Sequence, residues 1–94
     1  MEAAFFTACR LEFGLSPNTI RNYTTALAHL RAGLAEIGVA LADAGPDDIA
    51  RIMGWLRDTH AHAPATLALN LVAWRMYIRF LVAEKHLDRD RVSL

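Results

Sequence analysis

The side chains best suited to chemistry in this 94-residue chain stand in the stretch GLSPNTIRNYTTAL, from Gly14 to Leu27. If Ile20, Tyr23, Leu27 and Leu30 face a core, helical spacing puts Asn18, Arg21, Thr25 and His29 on the outward face, with Asn22 at its flank. Short polar side chains beside the positive end of a helix dipole, with a guanidinium one turn in, suit phosphate oxygens and base edges. Ordinary capping plus a solvated face accounts for the same residues, and this stretch alone does not separate the two readings.

Other chemistry-bearing residues have plainer explanations. Tyr23 and Tyr77 fall on or beside apolar stripes, where an aromatic ring packs and its hydroxyl reaches outward, so neither reads as a nucleophile. Trp55 and Trp74 read as packing or interface anchors rather than base-stacking platforms. His60 and His62 invite a metal reading with Glu84 and His86, but residues alternating at a helix end lack a third ligand on a known element, so no metal site is assigned. Asp47 and Asp48 sit where a helix dipole would want carboxylates. No set of acid, base and nucleophile emerges, so these residues alone do not read as an enzyme, and no catalytic residue, cofactor or small-molecule substrate is assigned.

The elements that must position these residues are helices. Gly14, Pro17, Gly38, Gly45–Pro46 and Pro64 cut the chain into four pieces of helical length, while Gly33 and Gly54 fall inside periodic segments and only weaken them. The first piece runs from about Glu2 to Phe13 and stops at Gly14. The second has Ser16 as N-cap, Pro17 as first helical residue and apolar residues at Ile20, Tyr23, Leu27, Leu30, Leu34 and Ile37 until Gly38 ends it. The third, near Pro46 to His60, turns Ile49, Ile52, Met53 and Leu56 inward. The fourth opens at Pro64 and continues to about His86, with Leu67, Leu71, Trp74, Ile78 and Leu81 as its core stripe. Leu69, Val72 and Met76 lie roughly opposite, so this helix is either the centre of a bundle or partly covered by a partner. Truncating Leu71 or Trp74 to Ala is expected to cost about 2–5 kcal/mol.

The totals narrow the function classes. Ten Lys+Arg balance ten Asp+Glu, so any anion-binding surface must be a local patch. One cysteine, Cys9, excludes an intrachain disulfide or a cysteine-based zinc cluster and suits a reducing cytoplasm. The N-terminus carries Glu2 and no basic leader, and no uninterrupted run of about eighteen apolar residues suggests a membrane span, so a soluble cytoplasmic protein is expected.

Taken in order, LSPNTIRNY with a long helix, then GPDDI, then Pro-x-Thr-hydrophobic and LVAWRMYIRFLVAEKHL resemble the N-terminal core-binding, SAM-like domain of phage-integrase and Xer-type tyrosine recombinases. That family's wording is close to LSxNT-hydrophobic-xxY, TPxDI and SxxTxNRxLSALRxFYxFLxxExxL, and the likeness covers essentially the whole chain. The resemblance implies an all-α, compact four- to five-helix bundle over residues 1–88, with 89–94 starting a linker toward a catalytic domain. It implies a non-catalytic DNA-binding domain gripping one face of a recombination half-site during integration or recombination. Double-stranded DNA and neighbouring recombinase subunits would be its partners, with no membrane involved.

Asn18, Thr19, Thr66 and Arg75 match the family wording at positions that would face DNA. Arg21 and Arg79 join them on helical-face grounds, and Arg89 and Arg91 would reach the backbone as the chain leaves. The wording is departed from at Ala63, Leu69 and Val72, where two hydroxyls and one basic residue are replaced by apolar side chains, and each lost phosphate contact would flatten the salt dependence by about 0.9. Arg21→Ala and Arg75→Ala are expected to weaken binding with little change in Tm. The alternative reading is a helical protein-protein interaction or oligomerisation module using the first helix and the Leu69/Val72/Met76 face. A helix-turn-helix regulator fits less well, because the second helix is too long for that motif.

Overall fold

The computed structural model describes residues 1–87 and shows four α-helices: α1 (Glu2–Leu11), α2 (Pro17–Ile37), α3 (Pro46–Thr59) and α4 (Pro64–Ala83). A single 3-10 turn at Leu41–Asp43, which the sequence pattern does not predict, bridges α2 and α3. No strand occurs among the described residues. The fold is therefore all-α, as expected, while the linker positions 89–94, with Arg89 and Arg91, lie outside the described residues.

Local chemistry sets the helix ends. Ser16 caps α2, its Oγ accepting from the Thr19 N–H at 3.2 Å, and Pro17 follows at a position that needs no donor. At the other end Gly38 adopts the left-handed conformation at φ 69°, and the Val39 N–H returns to the Leu34 carbonyl. Helix α1 stops two residues earlier than its apolar pattern suggests: Phe13 and Leu15 turn their N–H groups back to Ala8 and Cys9, and Gly14, at φ 63°, completes that turn from outside the helix. Asp48 Oδ2 accepts from the Gly45 N–H at 2.9 Å, so one of the two carboxylates at the start of α3 is a cap as well as a dipole partner. Helix α4 ends at Ala83 rather than near His86, its last carbonyls taken by the N–H groups of Lys85, His86 and Leu87.

Helix α4 is the centre of the bundle. It runs antiparallel to α2, since His29 meets Asn70 while Ala26, one turn earlier, meets Trp74, one turn later. Phe5 of α1, fully buried, sets its ring 5.2 Å from Tyr77 and 5.6 Å from Phe80. Ile49, Ile52 and Leu56 close the core from α3. Neighbours on several sides explain why α4 is apolar nearly all round: Leu69 and Met76 pack against the core together with Leu67 and Leu71, and of its large apolar side chains Val72 alone is exposed, by about half. By length and composition α4 is apolar enough to cross a membrane, yet it carries the most buried side chains of this bundle, Trp74 and Ile78 among them.

Three positions depart from the sequence reading. Asn70, not Leu71, is fully buried, because α4 turns its Asn70, Ala73, Trp74 and Tyr77 edge toward α2 and leaves Leu67 and Leu71 half-buried. His29 is not on the outward face but half-buried, its Nδ1 3.3 Å from Asn70 Oδ1. Gly33 is a packing requirement rather than a weakness: a Cβ there would fall 2.2 Å from Ile52 Cγ2.

Candidate nucleic-acid interface

The exposed polar side chains at the start of α2 hold one another in place. Arg21 Nη2 donates to Asn18 Oδ1 at 3.2 Å, one turn apart on the solvent side, which aims the guanidinium back toward the amino end of the helix. Thr19 is half-buried, and its hydroxyl lies 3.0 Å from Ser16 Oγ, so it serves the cap as well as any outside partner. Thr24 and Thr25 turn their hydroxyls inward to the carbonyls of Ile20 and Arg21. Among these residues Asn18 and Arg21 keep the most freedom to meet a ligand.

On α4, Arg79 is exposed and Arg75 is half-buried in a groove with Pro46, Ile49, Ala50, Met53 and Leu71. The Arg75 stem covers α3, and its Nε is buried without a hydrogen-bond partner. Thr66 does not share their face. Nine positions before Arg75, it lies two and a half turns away at about 3.6 residues per turn, on the half-buried side of the first turn of α4. The structure thus pairs Asn18 with Arg21, sets Arg75 and Arg79 one turn apart, and places Thr66 elsewhere.

Ion pairing divides the guanidinium groups of this neutral chain into two sets. Arg31 pairs with Glu2, Arg51 with Asp48 at 3.7 Å and Arg57 with Asp58 at 2.7 Å. Among the described residues no carboxylate lies within ion-pair distance of Arg21, Arg75 or Arg79. Their charge is available to an anion, whereas that of Arg31, Arg51 and Arg57 is locally offset.

The remaining reactive groups are packed away. Cys9 is fully buried, which raises its thiol pKa and keeps it protonated. Tyr77 is likewise held above the usual phenol range by burial first and by Glu2 second. Tyr23 and Trp74 belong to the core, and Trp55 stacks edge-on with His60 at 4.5 Å. Sequence reasoning missed that His29 joins His60 and His62, because the partner that draws it inward, Asn70, lies on another helix. Glu84 and His86 line a separate pocket with Met1 and Thr7, and no group of three His, Cys, Asp or Glu among the described residues is placed to hold a metal ion.

Comparison with known proteins agrees with the helical architecture. Residues 3–85 match the model of the family described as phage integrase, N-terminal SAM-like domain. A curated relative, tyrosine recombinase XerD of Pseudomonas putida, is 38% identical over 81 residues, which is 86% of this chain and 27% of that protein. The chain therefore spans about a quarter of the relative it matches. No solved structure matches. With the family match running from α1 to the end of α4, the chain belongs to the phage-integrase N-terminal SAM-like domain family.

Proposed function

We propose that this chain is the DNA-binding domain of a site-specific tyrosine recombinase or integrase, gripping one face of a recombination half-site in the cytoplasm. Strand cutting and rejoining would be the work of a catalytic domain in the parent protein. The observation that carries this reading is the solvent-facing Asn18–Arg21 pair at the amino end of α2, in a domain of this family. A helix N-terminus supported by a positioned guanidinium is suited to a phosphate, and Asn18 has the donor and acceptor for a base edge. Arg79 and the outer end of Arg75 would add backbone contacts, Thr19 would contribute through its hydroxyl while Thr66, off that face, would not, and neighbouring recombinase subunits would complete the assembly.

Fluorescence anisotropy with short duplex DNA across a salt series tests this. Affinity should fall as salt rises, and Arg21→Ala should reduce the magnitude of the log–log slope by about 0.9. Undetectable binding at the lowest salt would contradict the reading.

The exposed apolar side chains favour a second, compatible role in assembly. Leu11 is 79% exposed, Val72 53% and Phe13 48%, and apolar side chains left in water can meet a partner. Sedimentation should then show self-association that Leu11→Glu abolishes. A strict monomer at high concentration would remove that role.

A further inference from the structure

The connection between α3 and α4 is built around three imidazoles. The rings of His29 and His62 meet edge to face with centroids 4.5 Å apart, and that of His60 lies 6.4 Å from His62 and 4.5 Å from Trp55. Backbone contacts draw the turn tight: the N–H groups of His60 and His62 both return to the Leu56 carbonyl, at 3.2 and 3.1 Å, while Ala61 between them is forced to a left-handed φ of 54°. A non-glycine residue held in that conformation stores strain that the surrounding contacts must offset. His62 Nδ1 is buried with no hydrogen-bond partner.

The residues that line the pocket beside this cluster carry no formal charge, and the nearest charges in sequence, Arg57 and Asp58 of α3, pair with each other. Helix α2 presents His29 and Ala32, α3 presents Trp55 and Leu56, and α4 contributes the Asn70 amide through its bond to His29. No carboxylate lines the pocket, so no lining group would neutralise an imidazolium placed inside it. A proton on His62 would put a charge against two other imidazoles in a partly desolvated site.

We propose that His62, packed against His29 and His60, forms an acid-sensitive latch, which holds the strained α3–α4 turn closed while its imidazole is neutral and releases it when that ring takes up a proton. Release loosens the amino end of α4, whose first intrahelical bond runs from the Leu67 N–H to the carbonyl of Ala63, the residue after His62.

The direction of the pH effect follows from linkage. Burial, and then the neighbouring His29 and His60, hold the His62 pKa below its ordinary value of 6.5. Above pH 6.5 the group is neutral both folded and unfolded, and its contribution to stability is complete. As the pH falls below 6.5 the unfolded chain binds the proton first, so stability declines until the folded-state value is passed and then levels off.

NMR titration of the histidine rings in the wild-type chain, with amide hydrogen exchange at pH 7.5 and 5.5, tests the proposal. His62 should titrate below 6.5, and at pH 5.5 exchange at the His60, His62 and Leu67 amides, corrected for intrinsic rate, should rise by up to about tenfold, the most one group can contribute one pH unit below 6.5. His62→Gln and, separately, His29→Gln should reduce that rise, and amides at the α1–α4 contact should not share it. Ordinary titration of His62, or an exchange increase spread evenly over the bundle, would overturn the latch.

Discussion

The indole Nε1–H of Trp74 donates to the backbone carbonyl of Ala26 across 2.6 Å, joining the centre of α4 to the centre of α2 inside the core. The ring is fully buried, so the bond is made where water cannot replace it. Trp74→Phe removes the donor and keeps most of the ring, and should cost about 1–3 kcal/mol. Trp74→Ala should cost about 3–5 kcal/mol, because a cavity is added to the lost bond. Leu71→Ala, at a half-buried site, should cost distinctly less than either, and urea denaturation of the three variants checks the order.

At Gly33 the side chain of Ile52 from α3 packs directly on the backbone of α2. A methyl group there would collide with Ile52, so Gly33→Ala should destabilise by about 1–3 kcal/mol, despite the helix propensity that Ala adds. In an Ile52→Ala background the same change should cost much less, and the double-mutant cycle measures the coupling.

The helices were legible in the sequence because their signals are local: Ser16 with Pro17, Gly38, and Pro46 and Pro64 each act within a turn of the end they define. The buried edge of α4 was not legible in the same way. Leu67, Leu71, Trp74 and Ile78 make a good stripe, but α2 supplies a polar partner in His29 and a carbonyl acceptor in Ala26, which turns Asn70 and Trp74 inward together. Periodicity counts apolar residues and so passes over a buried asparagine. The Asn18–Arg21 pairing is visible as a three-residue spacing, whereas the separation of Thr66 from Arg75 follows from helical geometry that a linear motif conceals.

The Ser16 cap supports both the fold and the proposed interface. Ser16→Ala should destabilise by about 1 kcal/mol, since it leaves the Thr19 N–H without its acceptor. Ser16→Asp should retain stability, and thermal unfolding of both variants separates capping from loss of the hydroxyl contact to Thr19.

Arg21 and Arg75 should respond differently to truncation. Arg21 is exposed and bonds only to Asn18, so Arg21→Ala should leave Tm nearly unchanged. Arg75 packs its stem along α3, so Arg75→Ala should cost about 1 kcal/mol and lower Tm by a few degrees, correcting the expectation of little change at both sites. Calorimetry of the two variants distinguishes them.

The most direct measurement is amide chemical-shift mapping of the labelled domain as duplex DNA is added at low salt, which registers weak binding residue by residue. The account predicts that the largest shifts fall on Asn18 to Asn22 and on Arg75 to Arg79. Shifts confined to the exposed apolar residues of α1, or no shifts at all, would contradict it.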